Sequence, residues 1–129
     1  MFDCDGVIWL GQRAIEGSFE ALDYLISKGK KVFLLTNASY RSREELFETK
    51  LKQTHGFDKI PFDQIYTAAY MTAEYLKQVV SESPVENPSI YVVGMSGFKK
   101  ELENAGLRVI NMDETSENDT MGEAELASF

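Results

Sequence analysis

Short apolar runs alternate with longer amphipathic segments along this chain. Runs at 31–36, 65–67, 90–94 and 107–110 are bounded by polar or turn-forming residues, which is typical of strands buried on both faces. The stretches between them repeat apolar residues every three or four positions, which favours helices. This strand–helix alternation predicts an α/β fold with a parallel sheet and helices on both faces.

Four amphipathic segments are predicted to be helices. Ser18 is the expected N-cap of the first, and Ser42 with Glu45 forms the capping-box pattern of the second. His55, next to the helix-ending Gly56, is interpreted as a last-turn residue that interacts with the helix dipole. The apolar positions expected to face the core are Phe19, Leu22, Leu25 and Ile26, then Leu46, Phe47 and Leu51, then Met71, Tyr75, Leu76 and Val79, and finally Phe98 and Leu102.

Composition narrows the class of protein. The formal net charge is -8 over 129 residues, which argues against a nucleic-acid-binding surface. The single cysteine, Cys4, excludes an internal disulfide and favours a reducing, cytoplasmic location. No apolar stretch is long enough for a membrane span, and the N-terminus lacks a signal-peptide pattern, so no membrane association is expected.

The segment Asp3-Cys4-Asp5-Gly6 carries the clearest chemical signal. In an extended strand, residues two apart point to the same side, so Asp3 and Asp5 are expected to face one pocket. An ionised Asp can attack phosphorus, and a pair of acids can also hold Mg²⁺. Because Asp and Gly are common turn residues, this motif alone also fits a surface turn.

A second group of polar residues stands at the end of the predicted strand at 31–36. Thr36, Asn37 and Ser39 stand at the predicted carboxyl end of that strand, where ligands bind in open α/β sheets. Their hydroxyl and amide groups suit phosphate oxygens. The same residues also fit a turn that caps the next helix, and both interpretations can hold together.

The chain resembles the haloacid dehalogenase superfamily of phosphatases in four segments that keep the family's order: DCDGVIW, IEGSFEALDYLISKGKKVFLLTNAS, IYTAAYMTAEYL and IYVVGMSGFKKELENAGLRVI. The resemblance covers about residues 1 to 110. It is closest to the C2-capped branch that contains phosphoglycolate phosphatase, pyridoxal phosphate phosphatase and 4-nitrophenyl phosphatases.

The resemblance implies a role for each motif residue. Asp3 matches the nucleophile and Asp5 the general acid/base, and both are expected to hold Mg²⁺. Gly6, Thr36 and Asn37 are assigned to phosphate binding. The implied enzyme is a phosphoric monoester hydrolase that cleaves a small phosphorylated metabolite through an aspartyl-phosphate.

The resemblance also predicts the domain organisation. Residues 1–82 correspond to the N-terminal part of a Rossmann-like core, 83–112 to a linker and the start of the cap, and 113–129 to an acidic, poorly ordered tail. Ala38 replaces a second Asn of the family, and no later lysine or acidic metal motif is recognised before Phe129. The chain is therefore expected to be a truncated phosphatase with little activity alone.

Two other interpretations stay open. The chain could be an inactive remnant that binds a partner through an unpaired sheet edge, which is a template for association and also allows a homodimer. It could instead be a small phosphate-binding module that needs only Thr36, Asn37 and backbone donors.

Overall fold

A computed structural model describes residues 1–111 of the chain. The strands are β1 (Trp9–Leu10), β2 (Arg13–Ala14), β3 (Leu34–Thr36), β4 (Ile65–Thr67), β5 (Ile90–Val92) and β6 (Val109–Asn111). The helices are α1 (Ser18–Ser27), α2 (Arg43–Glu45), a π-helical segment (Leu46–Thr54), a 3₁₀ turn (Phe62–Gln64), α3 (Ala68–Ser81) and α4 (Ser96–Asn104). The predicted α/β class is confirmed, and the predicted tail at 113–129 lies outside the described residues.

Parallel pairing brings the first residues of the chain beside β3. The amide of Phe2 donates to the carbonyl of Phe33, and the amide of Leu35 donates to the carbonyl of Phe2, each at 2.8 Å. On its other side β3 pairs with β4, so that Thr36 lies opposite Thr67. A separate parallel pair joins β5 to β6. The carboxyl ends of the first segment, β3 and β4 therefore lie at one edge.

An antiparallel hairpin follows the aspartate motif. In it, β1 pairs with β2, with Trp9 opposite Ala14. The hydrophobic pattern of the sequence predicts no strand in this region. Each strand has only two residues, which is too short to produce the alternating pattern by which half-buried strands are recognised.

The helix starts only partly follow the prediction. The capping box at the start of α2 is confirmed, because Ser42 Oγ accepts from the amide of Glu45 and the Glu45 carboxylate accepts from the amide of Ser42. The prediction for Ser18 is wrong. Gly17 is the N-cap of α1, and Ser18 Oγ donates to the carbonyl of Ile8 at 2.8 Å. The hydroxyl thus ties α1 to the hairpin.

The predicted core face of α3 is wrong for three of its four residues. Met71, Tyr75 and Val79 are 47%, 66% and 43% exposed, whereas Ala69 and Ala73 are buried. Small side chains on that face allow close approach to the rest of the fold, and α3 packs against α4 there. Hydrophobic spacing identified the helix, but the larger apolar residues stand on its outer side.

Two apolar clusters stabilise the described residues. The first surrounds β3 and contains Cys4, Ile8, Trp9, Leu22, Val32, Leu34, Ala38, Leu46, Leu51, Phe57, Ile60 and Ile65. The second lies between α3, α4 and the β5–β6 pair and contains Ala73, Val92, Leu102 and Leu107. Within 1–111, no helix combines the length and apolar character that crossing a bilayer requires.

His55 packs within the first cluster's aromatic rim. Its ring is stacked on Trp9 with centroids 5.7 Å apart, and the Phe19 ring lies 5.0 Å away. Among the described residues, its buried Nε2 has no hydrogen-bond partner. Burial, and then the nearby Lys50 charge, lower the pKa of His55. A favourable interaction with the helix dipole would raise the pKa of His55. Its environment is therefore determined by packing rather than by the predicted contact with the dipole.

Helix α4 begins in close contact with the loop after β3. A β-carbon at Gly97 would overlap the backbone of Arg41. Nearby, the Glu101 side chain accepts a hydrogen bond from the amide of Arg43. Glycine is therefore required at Gly97 by space, because no side chain fits between the two backbones.

We expect Gly97→Ala to lower the free energy of unfolding by about 1–3 kcal/mol through overpacking. In a helix without this contact, the same change would be stabilising. Gly94→Ala is the matched control, since its β-carbon would make ordinary contacts of 3.4 Å with Phe98 and 3.7 Å with Val92. Urea unfolding of the two variants measures the difference, and equal stabilities would contradict the close contact.

We expect the stability of the protein to fall as pH drops below about 6.5, the ordinary pKa of histidine. The folded state holds the pKa of His55 below that value, so the unfolded chain takes up the proton first. The contribution of His55 to stability is therefore fully present above the pKa that it has in the unfolded chain, and it is lost as pH falls through the pKa that it has in the folded protein. One proton limits the slope to about 1.4 kcal/mol per pH unit.

Urea unfolding between pH 7 and 5.5 measures this slope. The chain contains one histidine, so a His55→Gln variant should show a flat profile over the same range. Equal slopes in the two proteins would show that His55 does not titrate differently on folding.

Candidate active site

Asp3 lies where the first parallel segment ends. It follows Phe2, whose backbone bonds fix it beside β3. The Asp3 side chain is exposed, and its Oδ1 accepts a hydrogen bond of 2.7 Å from the amide of Cys4. The carboxylate is thus held at the carboxyl edge of the sheet and is open to solvent.

Thr36 and Asn37 lie at the same edge, at the end of β3. Thr36 is 3% exposed, and its hydroxyl oxygen accepts from the amide of Ala38 at 3.2 Å. This bond turns the chain after the strand, which confirms the turn interpretation for Thr36. Asn37 is exposed, whereas Ala38 is buried in the first apolar cluster.

One cavity of about 520 Å³ joins these residues. Its lining contains Asp3, Thr36 and Asn37 together with the apolar residues Met1, Phe2, Leu35, Ala68 and Met71. The resemblance implied that Asp3, Thr36 and Asn37 share one site, and parallel strands place their carboxyl ends at one edge. Asp3, Thr36 and Asn37 thus line one space that is large enough for a small phosphate ester.

Asp5 and Gly6 are placed differently from the prediction. The chain bends after Asp3, since the carbonyl of Cys4 accepts from the amides of Ile8 at 2.9 Å and Trp9 at 3.2 Å. Of the described residues, neither Asp5 nor Gly6 is among those that line the cavity of Asp3. The expected extended geometry, with both acids facing one pocket, is therefore not observed.

Asp5 instead lies against the hairpin. Its Oδ1 accepts a hydrogen bond of 3.0 Å from the indole N–H of Trp9. Gly6 turns the chain with a φ of 82°, and its amide donates to the carbonyl of Trp9 at 2.7 Å. This left-handed conformation favours glycine, so Gly6 shapes the turn that carries Asp5.

Cys4, between the two acids, is fully buried. Burial, followed by the charges of Asp3 and Asp5, raises the pKa of the Cys4 thiol to about 12. The thiol therefore stays protonated at neutral pH and is a poor nucleophile. Cys4 thus serves as a small buried apolar residue.

The resemblance predicts Asp3 and Asp5 as the donors for a metal ion. Within residues 1–111, the structure contains no group of three or more His, Cys, Asp or Glu side chains placed to hold a metal. Mg²⁺ commonly uses one or two carboxylates and completes its shell with water and substrate phosphate. The carboxylates of Asp3 and Asp5 are exposed and have the oxygen ligands that Mg²⁺ prefers, although only Asp3 lines the cavity.

One residue near the site was missed by the sequence analysis. Lys50 is 5% exposed, and its Nζ contacts the hairpin at Gly11 and Gln12. Its position in the sequence could have identified it, because Lys50 stands on the apolar face of the second helix, four residues after Leu46 and next to Leu51. A charged residue on such a face needs a buried partner, which the sequence does not identify.

Known proteins of one family are similar to this chain. The model of the haloacid dehalogenase-like hydrolase family matches residues 1–108. Phosphoglycolate phosphatase 2 of Arabidopsis thaliana is 38% identical over 117 residues, which cover 91% of this chain and 37% of that protein. Human chronophin is 36% identical over 84% of this chain and 36% of its own length.

A solved structure agrees with these relatives. The p-nitrophenyl phosphatase from Archaeoglobus fulgidus superposes with a TM-score of 0.70 at 29% identity, over 97% of this chain and 47% of that structure. The chain thus spans less than half the length of each of these proteins. The family match nevertheless covers most of the described residues, and the chain belongs to the haloacid dehalogenase-like hydrolases.

Proposed function

We propose that this chain contributes the nucleophile and part of the phosphate site to a Mg²⁺-dependent phosphatase that acts on small phosphomonoesters. The observation that carries the proposal is the cavity shared by Asp3, Thr36 and Asn37. The names of the relatives, which include phosphoglycolate phosphatase and 4-nitrophenylphosphatase, support the substrate class.

The proposed first step is attack of the Asp3 carboxylate on phosphorus. A bond forms between an Asp3 oxygen and phosphorus while the bond to the ester oxygen breaks. Donation of a proton to the leaving alcohol is assigned to Asp5 on the family resemblance, and in the structure Asp5 lies against the hairpin, outside the cavity lining. The Thr36 hydroxyl and the Asn37 amide hold phosphoryl oxygens at the mouth of the cavity, where their hydrogen bonds stabilise developing charge.

The second step releases phosphate. Asp5, now ionised, takes a proton from a water molecule whose oxygen attacks the phosphorus of the aspartyl-phosphate. The bond to Asp3 breaks and restores the carboxylate. Asp3 and Asp5 would hold the Mg²⁺ ion, which supplies positive charge against the phosphate when bound.

A second candidate is phosphate binding without turnover. It is favoured by the absence, within 1–111, of a third acidic group beside the two aspartates. The described residues then supply enough donors to bind an anion, but too little charge neutralisation for attack by a carboxylate. Substrate turnover and phosphate binding must therefore be measured separately.

We expect the 129-residue chain to hydrolyse 4-nitrophenyl phosphate slowly in the presence of Mg²⁺, and we expect Asp3→Asn to reduce the rate to that of buffer. An amide cannot replace the carboxylate as nucleophile. Asp23→Asn is the matched control, because Asp23 is an exposed residue of α1 paired with Lys59, and its rate should equal that of the wild type. Release of 4-nitrophenolate is followed by absorbance.

Two results would contradict the enzymatic proposal. Equal rates for Asp3→Asn and the wild type would exclude Asp3 as nucleophile. No turnover, combined with phosphate binding detected by ³¹P NMR, would support the binding function instead.

A further inference from the structure

Lys50 is a buried cation whose contacts are not explained by packing alone. It is 5% exposed in the π-helical segment, whose buried residues also include Leu46 and Leu51. Burial of an ammonium group is costly unless hydrogen bonds replace its water. The partners of Lys50 therefore indicate why a lysine occupies this position.

All the described contacts of the Lys50 ammonium group lie on the hairpin. Nζ donates to the carbonyl of Gly11 and, at 3.1 Å, to Oε1 of Gln12. Both residues form the turn between β1 and β2. The same Nζ lies 5.5 Å from the centre of the Trp9 ring, within range of a cation–π contact. Lys50 thus fixes the turn and one strand of the hairpin.

Trp9 transmits this restraint to the aspartate motif. Its side chain is 1% exposed and is stacked on His55, so the ring has little freedom to rotate. The indole N–H donates to Asp5 Oδ1 at 3.0 Å. Movement of the hairpin would therefore move the hydrogen-bond donor that orients Asp5.

The charges of Lys50 and Asp5 also affect each other. Burial lowers the pKa of Lys50, with a further contribution from Arg41, whereas Asp5 acts in the opposite direction. This coupling agrees with the contacts, since the Lys50 ammonium group lies 5.5 Å from the Trp9 ring and the Asp5 carboxylate accepts from the indole N–H of the same residue.

We propose that Lys50 is a positioning residue for Asp5 and acts through the hairpin and the indole of Trp9. This inference rests on the proposed role of Asp5 as general acid/base. Because the indole occupies Oδ1, the proton is exchanged at Oδ2, and the orientation of that oxygen depends on the clamp formed by Lys50 and Trp9. Lys50 itself does not line the cavity that contains Asp3.

The single tryptophan of the chain makes this proposal directly measurable. Trp9 gives one indole N–H cross-peak in a ¹⁵N–¹H NMR spectrum. Asp5→Asn should shift this peak in the wild-type background, because the carboxyl group that accepts the indole hydrogen bond is replaced by an amide. Lys50→Met, which keeps the length of the side chain and removes its donors, should also shift it. Adding Asp5→Asn to Lys50→Met should then cause at most a small further change.

Lys52→Met is the matched control. Lys52 stands two residues away, is partly exposed and pairs with Glu48 on the surface, so its loss should leave the indole peak and its response to Asp5→Asn unchanged. The proposal is overturned if Lys50→Met leaves the peak in place, or if Asp5→Asn shifts it equally in both backgrounds. In those cases Lys50 only anchors the hairpin.

Gln12→Ala keeps the proposal testable if Lys50→Met does not fold. Gln12 is exposed and provides one of the two acceptors of Lys50, so its truncation should shift the indole peak in the same direction by a smaller amount. An unchanged peak in this variant would contradict the proposal.

Activity separates this inference from the proposed function. The spectra are recorded without Mg²⁺ or substrate and test positioning alone, whereas hydrolysis by wild type and Asp3→Asn tests the function. Where hydrolysis is measurable, Lys50→Met should lower kcat by up to about 100-fold through misplacement of Asp5. KM should stay unchanged, since Lys50 does not touch the substrate cavity.

Discussion

Parallel hydrogen bonding of the first residues to β3 is the constraint on which the candidate site depends. The backbone of Phe2 pairs on one side of β3, and β4 pairs on the other. In a parallel arrangement every strand ends at the same edge. Asp3 and Thr36, which are 33 positions apart in sequence, therefore reach one cavity without any direct bond between their side chains.

The turn after Asp3 then separates the two aspartates. The carbonyl of Cys4 accepts hydrogen bonds from the amides of residues that follow it, and the chain therefore does not continue as a strand. Asp3 stays at the sheet edge, while Asp5 lies on the hairpin beneath the indole of Trp9. Two carboxylates so close in sequence thereby receive different surroundings, which is a requirement for different chemical roles.

Local sequence signals predicted much of this architecture correctly. The strands ending at Thr36 and Thr67 and the capping box at Ser42 were recognised from patterns that depend on neighbouring residues alone. The expected burial on both faces is wrong for β3, where Leu35 is 46% exposed. The shared cavity of Asp3, Thr36 and Asn37 was implied by the family resemblance rather than by local signals, and the rule for parallel sheets gives its physical reason. The domain boundaries and the roles of the site residues remain predictions.

The sequence by itself determined the segments that form β3 to β6 and the main helices, since period and turn chemistry are local properties. Only the tertiary structure decided the rest. The buried face of α3 is the one that carries alanines, because close packing against α4 outweighs the hydrophobicity of Met71 and Tyr75. Lys50 likewise finds its partners in a hairpin about 40 residues earlier. Contacts of that kind depend on how elements pack, and no local pattern encodes them.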